Sequence, residues 1–124
     1  MEQMEQMEQM EQMEQTKQTV SVAEFMRELS SANPPAVIDV RKRPAFEADT
    51  LQVVGAVWLD PEKVTSWAPA LTQQQNVVVY CIKGHEVGIN CASALNEAGI
   101  AARYLEGGLE AYKQAGGMLA RRVA

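Results

Sequence analysis

Long apolar runs, disulfide-rich patterning and an excess of positive charge are all missing from this sequence. Its longest apolar stretches are a few residues, far short of the roughly 20 that a bilayer-spanning helix needs, so no membrane segment is expected. Only two cysteines, Cys81 and Cys91, occur in 124 residues. That number cannot build the disulfide framework of a small secreted domain. The N-terminus lacks a basic start followed by an apolar stretch, so nothing resembles a signal peptide. A reduced, cytoplasmic protein is the expectation.

Positive charge is scarce in a way that excludes a partner class. The chain carries 11 basic and 16 acidic residues, with a net charge of -5. Five of those acids lie in residues 1–15, which are five copies of Met-Glu-Gln. Without them acids and bases balance, so the acidity belongs to the repeat. No basic stripe remains to meet nucleic acid. Met, Glu and Gln favour helix, but a period of three drifts around a helix and leaves no stable apolar seam. Residues 1–18 are therefore read as a tail, disordered or helical, and 19–124 as one domain with one core. Nothing in the pattern specifies an oligomeric state.

Within the domain, strand and helix signals alternate. Ser21-Val-Ala-Glu24 is a capping box, and Val22, Phe25, Met26 and Leu29 follow at helical spacing. Ala36–Val40 is a short apolar run ending in charge, the pattern of a buried parallel strand. Pro44 opens a short helical turn through Phe46 and Glu47. A strand is expected at Ala56–Leu59, then a helix over residues 61–68 behind the Asp60-Pro61 cap. Val77–Tyr80 is the strongest strand signal. A helix is predicted over 87–98, closed by Gly99, then a strand at Ala102–Leu105 and a last helix between Gly107-Gly108 and Gly116-Gly117. Such alternation implies an α/β fold with a mostly parallel sheet covered on both faces. Ligands of such sheets sit beyond the carboxyl ends of the strands. Asp39–Arg41, Cys81–Val87 and Glu106–Gly108 occupy those ends.

The middle segment has the chemistry. Cys81 directly follows a strand and shortly precedes a helix, whose N-terminal N–H groups and dipole favour the thiolate, the reactive form. Gly84 lets the loop turn with positive φ and gather N–H groups into an anion-binding nest. Lys83 adds positive charge, and His85, the sole histidine, could add another. Cys91 sits mid-helix on the apolar face and reads as a small buried hydrophobe. A zinc site from Cys81, His85 and Cys91 lacks a fourth ligand. A Cys-dependent phosphatase needs Arg six positions after the cysteine, where this chain has Val87.

Cys81-Ile82-Lys83-Gly84-His85-Glu86-Val87 behind a Val-rich strand resembles the active-site loop of rhodanese-like sulfurtransferases. Asp39-Val40-Arg41, Phe46-Glu47, Gly55-Ala56 and Leu105–Tyr112 resemble further family segments, in the family's order, between about Ser21 and Gly117. The resemblance implies a single rhodanese-like domain with a five-stranded, mostly parallel sheet. It also implies sulfur transfer in two steps. Cys81 takes a sulfane sulfur from a small anionic donor such as thiosulfate, becomes a persulfide, and passes the sulfur to a thiol or cyanide acceptor. No metal or organic cofactor is implied. Lys83 would draw in the donor, Gly84 would supply the nest, and Asp39 and Arg41 would brace the loop. Three departures stand out. Leu51–Val54 replaces the usual Gly-His, Tyr112 replaces a Trp, and Glu86 puts a carboxylate in the loop that opposes an anionic donor. The rival reading is a non-catalytic rhodanese-like module that binds a partner or senses redox state.

Overall fold

In β2 (Ala36–Asp39), β5 (Val77–Tyr80) and β6 (Ala102–Leu105), nearly every residue is buried or half-buried, because helices cover both faces of the sheet they form. The computed structural model describes residues 18–72 and 76–122; the Met-Glu-Gln repeat lies outside the described residues. In chain order the elements are β1 (Thr19–Val20), α1 (Val22–Leu29), β2, α2 (Arg43–Ala48), β3 (Leu51–Val53) and β4 (Val57–Trp58). There follow a 3₁₀ turn at Pro61–Lys63, α3 (Val64–Trp67), a second 3₁₀ turn at Ala68–Leu71, β5, α4 (Glu86–Glu97), β6, α5 (Gly108–Gln114) and β7 (Leu119–Arg121). Five strands form a wholly parallel sheet in the order β1-β6-β5-β2-β4. This is the α/β architecture expected from the alternation. β3 and β7 form a separate antiparallel pair.

The two-residue period of the strands sorts the core into two layers. Val37, Val78, Tyr80 and Leu105 pack with Phe25 of α1 and Leu109 and Tyr112 of α5. Ile38, Val40, Val77, Val79 and Ala102 pack on the other side with Cys91, Ala92 and Leu95 of α4. Odd-numbered positions of β5 therefore face α4, and Cys81 continues that series.

Local signals explain most element boundaries. Ser21 Oγ accepts from the Glu24 N–H at 3.2 Å, the forward half of the expected capping box. Asp60 caps the following turn by accepting from the Glu62 N–H at 3.0 Å. The single helix expected at 61–68 is broken into 3₁₀, α and 3₁₀ pieces, with Pro61 and Pro69 near the starts of the two 3₁₀ turns. Proline suits the first turn of a helical piece and cannot continue one. The expected strand at Ala56–Leu59 shortens to two residues and pairs only with β2.

Candidate active site at the end of the central strand

β5 lies at the middle of the sheet, and its chain leaves the carboxyl edge at Cys81. The next four residues turn into α4, whose N-cap is His85. Gly84 adopts φ +72, and a Cβ there would stand 2.6 Å from the Gly107 N atom and 3.0 Å from the Leu105 carbonyl oxygen. Gly108, at φ +61, is just as close from the other side: its missing Cβ would meet the Cys81 and Ile82 carbonyl oxygens and the Gly84 N atom, each at 2.6 Å. Glycine at both positions lets the loop and the start of α5 touch backbone to backbone.

That contact fixes the polarity of the loop. The Leu109 N–H donates to the Cys81 carbonyl and the Glu110 N–H to the Ile82 carbonyl, both at 2.9 Å. The first turn of α5 thus consumes two loop carbonyls. Among the described residues, no protein acceptor takes the N–H of any residue from Ile82 to Gly88. The loop is left rich in free donors, an arrangement that favours negative charge beside it.

Cys81 is 6% exposed and sits over the first turn of α4. Its Sγ lies 4.0 Å from the His85 carbonyl oxygen, the outer limit for a thiol hydrogen bond. A Cβ on Gly88 would come 3.5 Å from the sulfur, so a longer side chain there would enter its space. Cys91, one turn further along α4, is a buried core residue. Burial, and then the nearby Cys81, push its thiol up to about 11. Both cysteines are buried, and what separates them is position: Cys81 stands at the N-terminal turn of α4 and Cys91 in the middle of that helix. Both are free thiols.

A cavity of about 530 Å³ opens above the sulfur. Cys81, Ile82, Lys83, His85, Glu86 and Val87 line it from the loop, and Arg41, Lys42 and Ala45 from the opposite wall. Of the sequence-derived site residues, Gly84 stands behind the loop and Asp39 lies beneath the floor. Lys42 and Ala45 are additions. Lys42 follows the Asp39-Val40-Arg41 segment directly, and Ala45 lies on α2, whose Pro44 signal placed a helical turn beside that strand end. Lys42, Lys83, His85 and Glu86 are all exposed. None of the four belongs to an ion pair among the described residues, so Glu86 is neutralised by neither Lys83 nor Arg41.

Arg41 is committed elsewhere. It is 2% exposed, and its guanidinium donates to both Asp39 oxygens at 2.7–3.1 Å, to Asp49 at 3.1 Å and to the Leu51 carbonyl at 3.1 Å. Burial alone would lower its pKa, but the Asp39 hydrogen bonds and charge outweigh that and hold it above the ordinary value. The Tyr80 hydroxyl donates to Asp39 at 3.1 Å and accepts from the Val53 N–H at 3.1 Å, and burial pushes Tyr80 well up. Trp58 closes the set by donating its indole N–H to the Arg41 carbonyl at 2.8 Å. The network joins β2, β3, β4 and β5 below the cavity. Its members at Asp49, Val53 and Tyr80 are 8 to 41 positions away in sequence, so only the two charged residues at the end of β2 announced it.

A rhodanese-like domain family model matches residues 21–115, spanning the sheet, the cysteine loop and the α5 segment that braces it. The chain belongs to the rhodanese-like domain family. Among solved structures, a full-length protein from Lactobacillus plantarum superposes with a TM-score of 0.75 at 23% identity, covering 85% of this chain and 88% of that one. A rhodanese-like domain protein from Staphylococcus aureus gives 0.68 at 19% identity, covering 77% and 90%. A protein of unknown function from Rhodopseudomonas palustris, described as a possible tyrosine phosphatase, gives 0.73 at 22% identity over 83% and 84%. These likenesses establish the fold. No curated protein matches the chain by sequence. Among the described residues of this rhodanese-like domain, no helix is long and apolar enough to cross a membrane, and no His, Cys, Asp and Glu group clusters closely enough to hold a metal ion.

Proposed function

We propose that this rhodanese-like domain is a sulfurtransferase that carries sulfur as a persulfide on Cys81. The observation that carries the reading is the placement of the Cys81 sulfur. It lies on the floor of a cavity, over a helix N-terminus, beside a loop whose N–H groups have no protein acceptor. Helix-terminal N–H groups and loop nests stabilise negative sulfur before, during and after transfer.

In the first step the Cys81 thiolate attacks the outer sulfur of thiosulfate. The donor S–S bond breaks, and sulfite leaves with its electron pair. The loop N–H groups then hold the terminal, anionic sulfur of the persulfide. In the second step a thiolate or cyanide attacks that sulfur, the Sγ–S bond breaks, and the electron pair returns to Cys81. Lys42 and Lys83 at the rim attract the anionic donor. Arg41 and Asp39 act as a brace, since their charges are already spent on each other and on Asp49.

A phosphatase reading, suggested by the description of the Rhodopseudomonas palustris protein, finds no support here. Its loop requires a guanidinium to clamp a tetrahedral oxyanion. Val87 stands in that position, and Arg41, the arginine in the cavity wall, has its Nε and both Nη2 donors and one Nη1 donor engaged by Asp39, Asp49 and Leu51, which leaves no paired fork of donors for an oxyanion.

Intact-protein mass spectrometry tests the proposal. After incubation with thiosulfate the chain should gain one sulfur atom, and cyanide should remove it as thiocyanate. Cys81→Ser should gain none. A wild-type protein that takes up no sulfur would overturn the sulfurtransferase reading in favour of a non-catalytic module.

A further inference from the structure

The cavity over Cys81 does not end at Ile82. A second cavity of about 360 Å³ adjoins it, sharing Arg41, Ala45 and Ile82 and continuing between α2 and α5 to Ala48, Leu109, Glu110 and Lys113. Thiosulfate is a compact ion of five heavy atoms and needs only a small part of the first cavity. The connected space suits a longer molecule, bent over Ile82, with its sulfur at Cys81.

Charge decides what the far end of that molecule carries. In the first cavity the unpaired charges include two lysines, Lys42 and Lys83, against one carboxylate, Glu86. In the second, Arg41 is held by Asp39 and Asp49, and Lys113 donates to Asp49 at 2.7 Å. Glu110 is the one charged residue of this groove that belongs to no ion pair among the described residues. Its N–H is bonded to the Ile82 carbonyl, so its side chain starts directly beside the loop. The walls between are apolar, formed by Ala45, Ala48, Ile82 and Leu109. A ligand that complements this path has a reactive sulfur at one end, a short aliphatic stretch, and a positive group at the other.

We propose that the groove between α2 and α5 is an acceptor subsite for an organic thiol bearing an ammonium group, with Glu110 as its specificity-determining residue. The inference rests on the sulfurtransferase reading for its use, but the binding it describes is independent of sulfur transfer. An anionic tail would be repelled by Glu110, and a neutral one would leave that carboxylate without a partner while shielding it from water.

Non-reacting thioethers provide the test. The full chain is titrated by calorimetry with 3-(methylthio)propylamine and with its N-acetylated form, which lacks the ammonium. The free amine should bind roughly three- to fivefold tighter, the range of a partly exposed ion pair. Glu110→Gln should bring the ratio near one, whereas Glu97→Gln, an exposed carboxylate at the far end of α4, should leave it unchanged. A purely structural role for Glu110 would shift both ligands together and leave the ratio intact. Equal binding of the two ligands to the wild type, or a ratio that survives Glu110→Gln, overturns the subsite. A ratio that behaves as expected in a protein whose Cys81 takes up no sulfur keeps the subsite and sinks the sulfurtransferase reading.

Discussion

Replacing Gly108 by alanine should damage this protein through two separable effects. The first is conformational, since the residue holds φ +61 and a non-glycine residue there costs about 1–2 kcal/mol. The second is steric. The new Cβ would stand 2.6 Å from three backbone atoms of the cysteine loop, and that backbone has no rotamer to relax into. Relief requires α5 to move off the loop, which breaks the Leu109–Cys81 and Glu110–Ile82 hydrogen bonds. At roughly 1 kcal/mol each, those losses bring the total to about 3–4 kcal/mol. Gly116 supplies the control. It also has positive φ, +78, but a Cβ there meets nothing within 4 Å. Gly116→Ala should therefore cost only the conformational part, about 1–2 kcal/mol. Urea unfolding of both variants measures the difference, and persulfide formation on Cys81 reports the loop. Gly108→Ala should lose both stability and sulfur uptake; Gly116→Ala should lose a little stability alone. Equal destabilisation by the two substitutions would refute the argument that α5 holds the loop by backbone contact.

Other tests address charge and pH. Lys83→Ala should lower kcat/KM for thiosulfate by up to about fivefold, and Glu86→Gln should raise it by a similar factor, since exposed charges are each worth at most about 1 kcal/mol. Both effects should shrink at high salt, and a slower Glu86→Gln enzyme would show that the carboxylate assists the reaction. In Cys81→Ser protein, alkylation of Cys91 should stay slow at neutral pH and accelerate only in the alkaline range, because burial, the larger cause of its raised pKa, remains when the Cys81 contribution is removed; rapid modification at neutral pH would contradict its place in the core. Glu28 is held below its ordinary value of 4.5, chiefly by its hydrogen bonds to Arg103, with burial opposing. Its contribution to stability is present above that ordinary value and is lost as pH falls through the lowered one. Glu28→Gln should therefore be less stable than wild type at neutral pH and lose less on acidification, as followed by circular dichroism.

The sequence was most legible where a signal is local. Val77–Tyr80, the Ser21 cap, Gly84 and Gly107-Gly108 each declare a conformation within a few residues, and the cysteine loop falls between such markers. β3 and β7 were invisible because three residues from distant parts of the chain form strands only in each other's presence. Leu51–Val54 had registered merely as a missing Gly-His. In the fold it supplies β3, and its Val53 N–H anchors the Tyr80 hydroxyl that in turn holds Asp39. β1 escaped for a similar reason, being two residues long and paired to β6 some 85 positions later. Glycine spacing marked the end of β6 as a site, but not that α5 would grip the carbonyls of the cysteine loop. Such a contact leaves no pattern in either segment taken alone.

The strand order also sets when the cysteine loop can form. β5 and β6 insert between β1 and β2, so the first half of the chain cannot close a sheet by itself. The Cys81 and Ile82 carbonyls wait for N–H groups at Leu109 and Glu110, which a ribosome makes 28 residues after each. Until then Cys81 belongs to an unbraced peptide with no cavity above it, and its chemistry is that of any free thiol in an unfolded chain. The reactive arrangement exists only once nearly the whole domain has been synthesised, so a truncated chain ending before α5 would present the cysteine without the loop geometry that surrounds it.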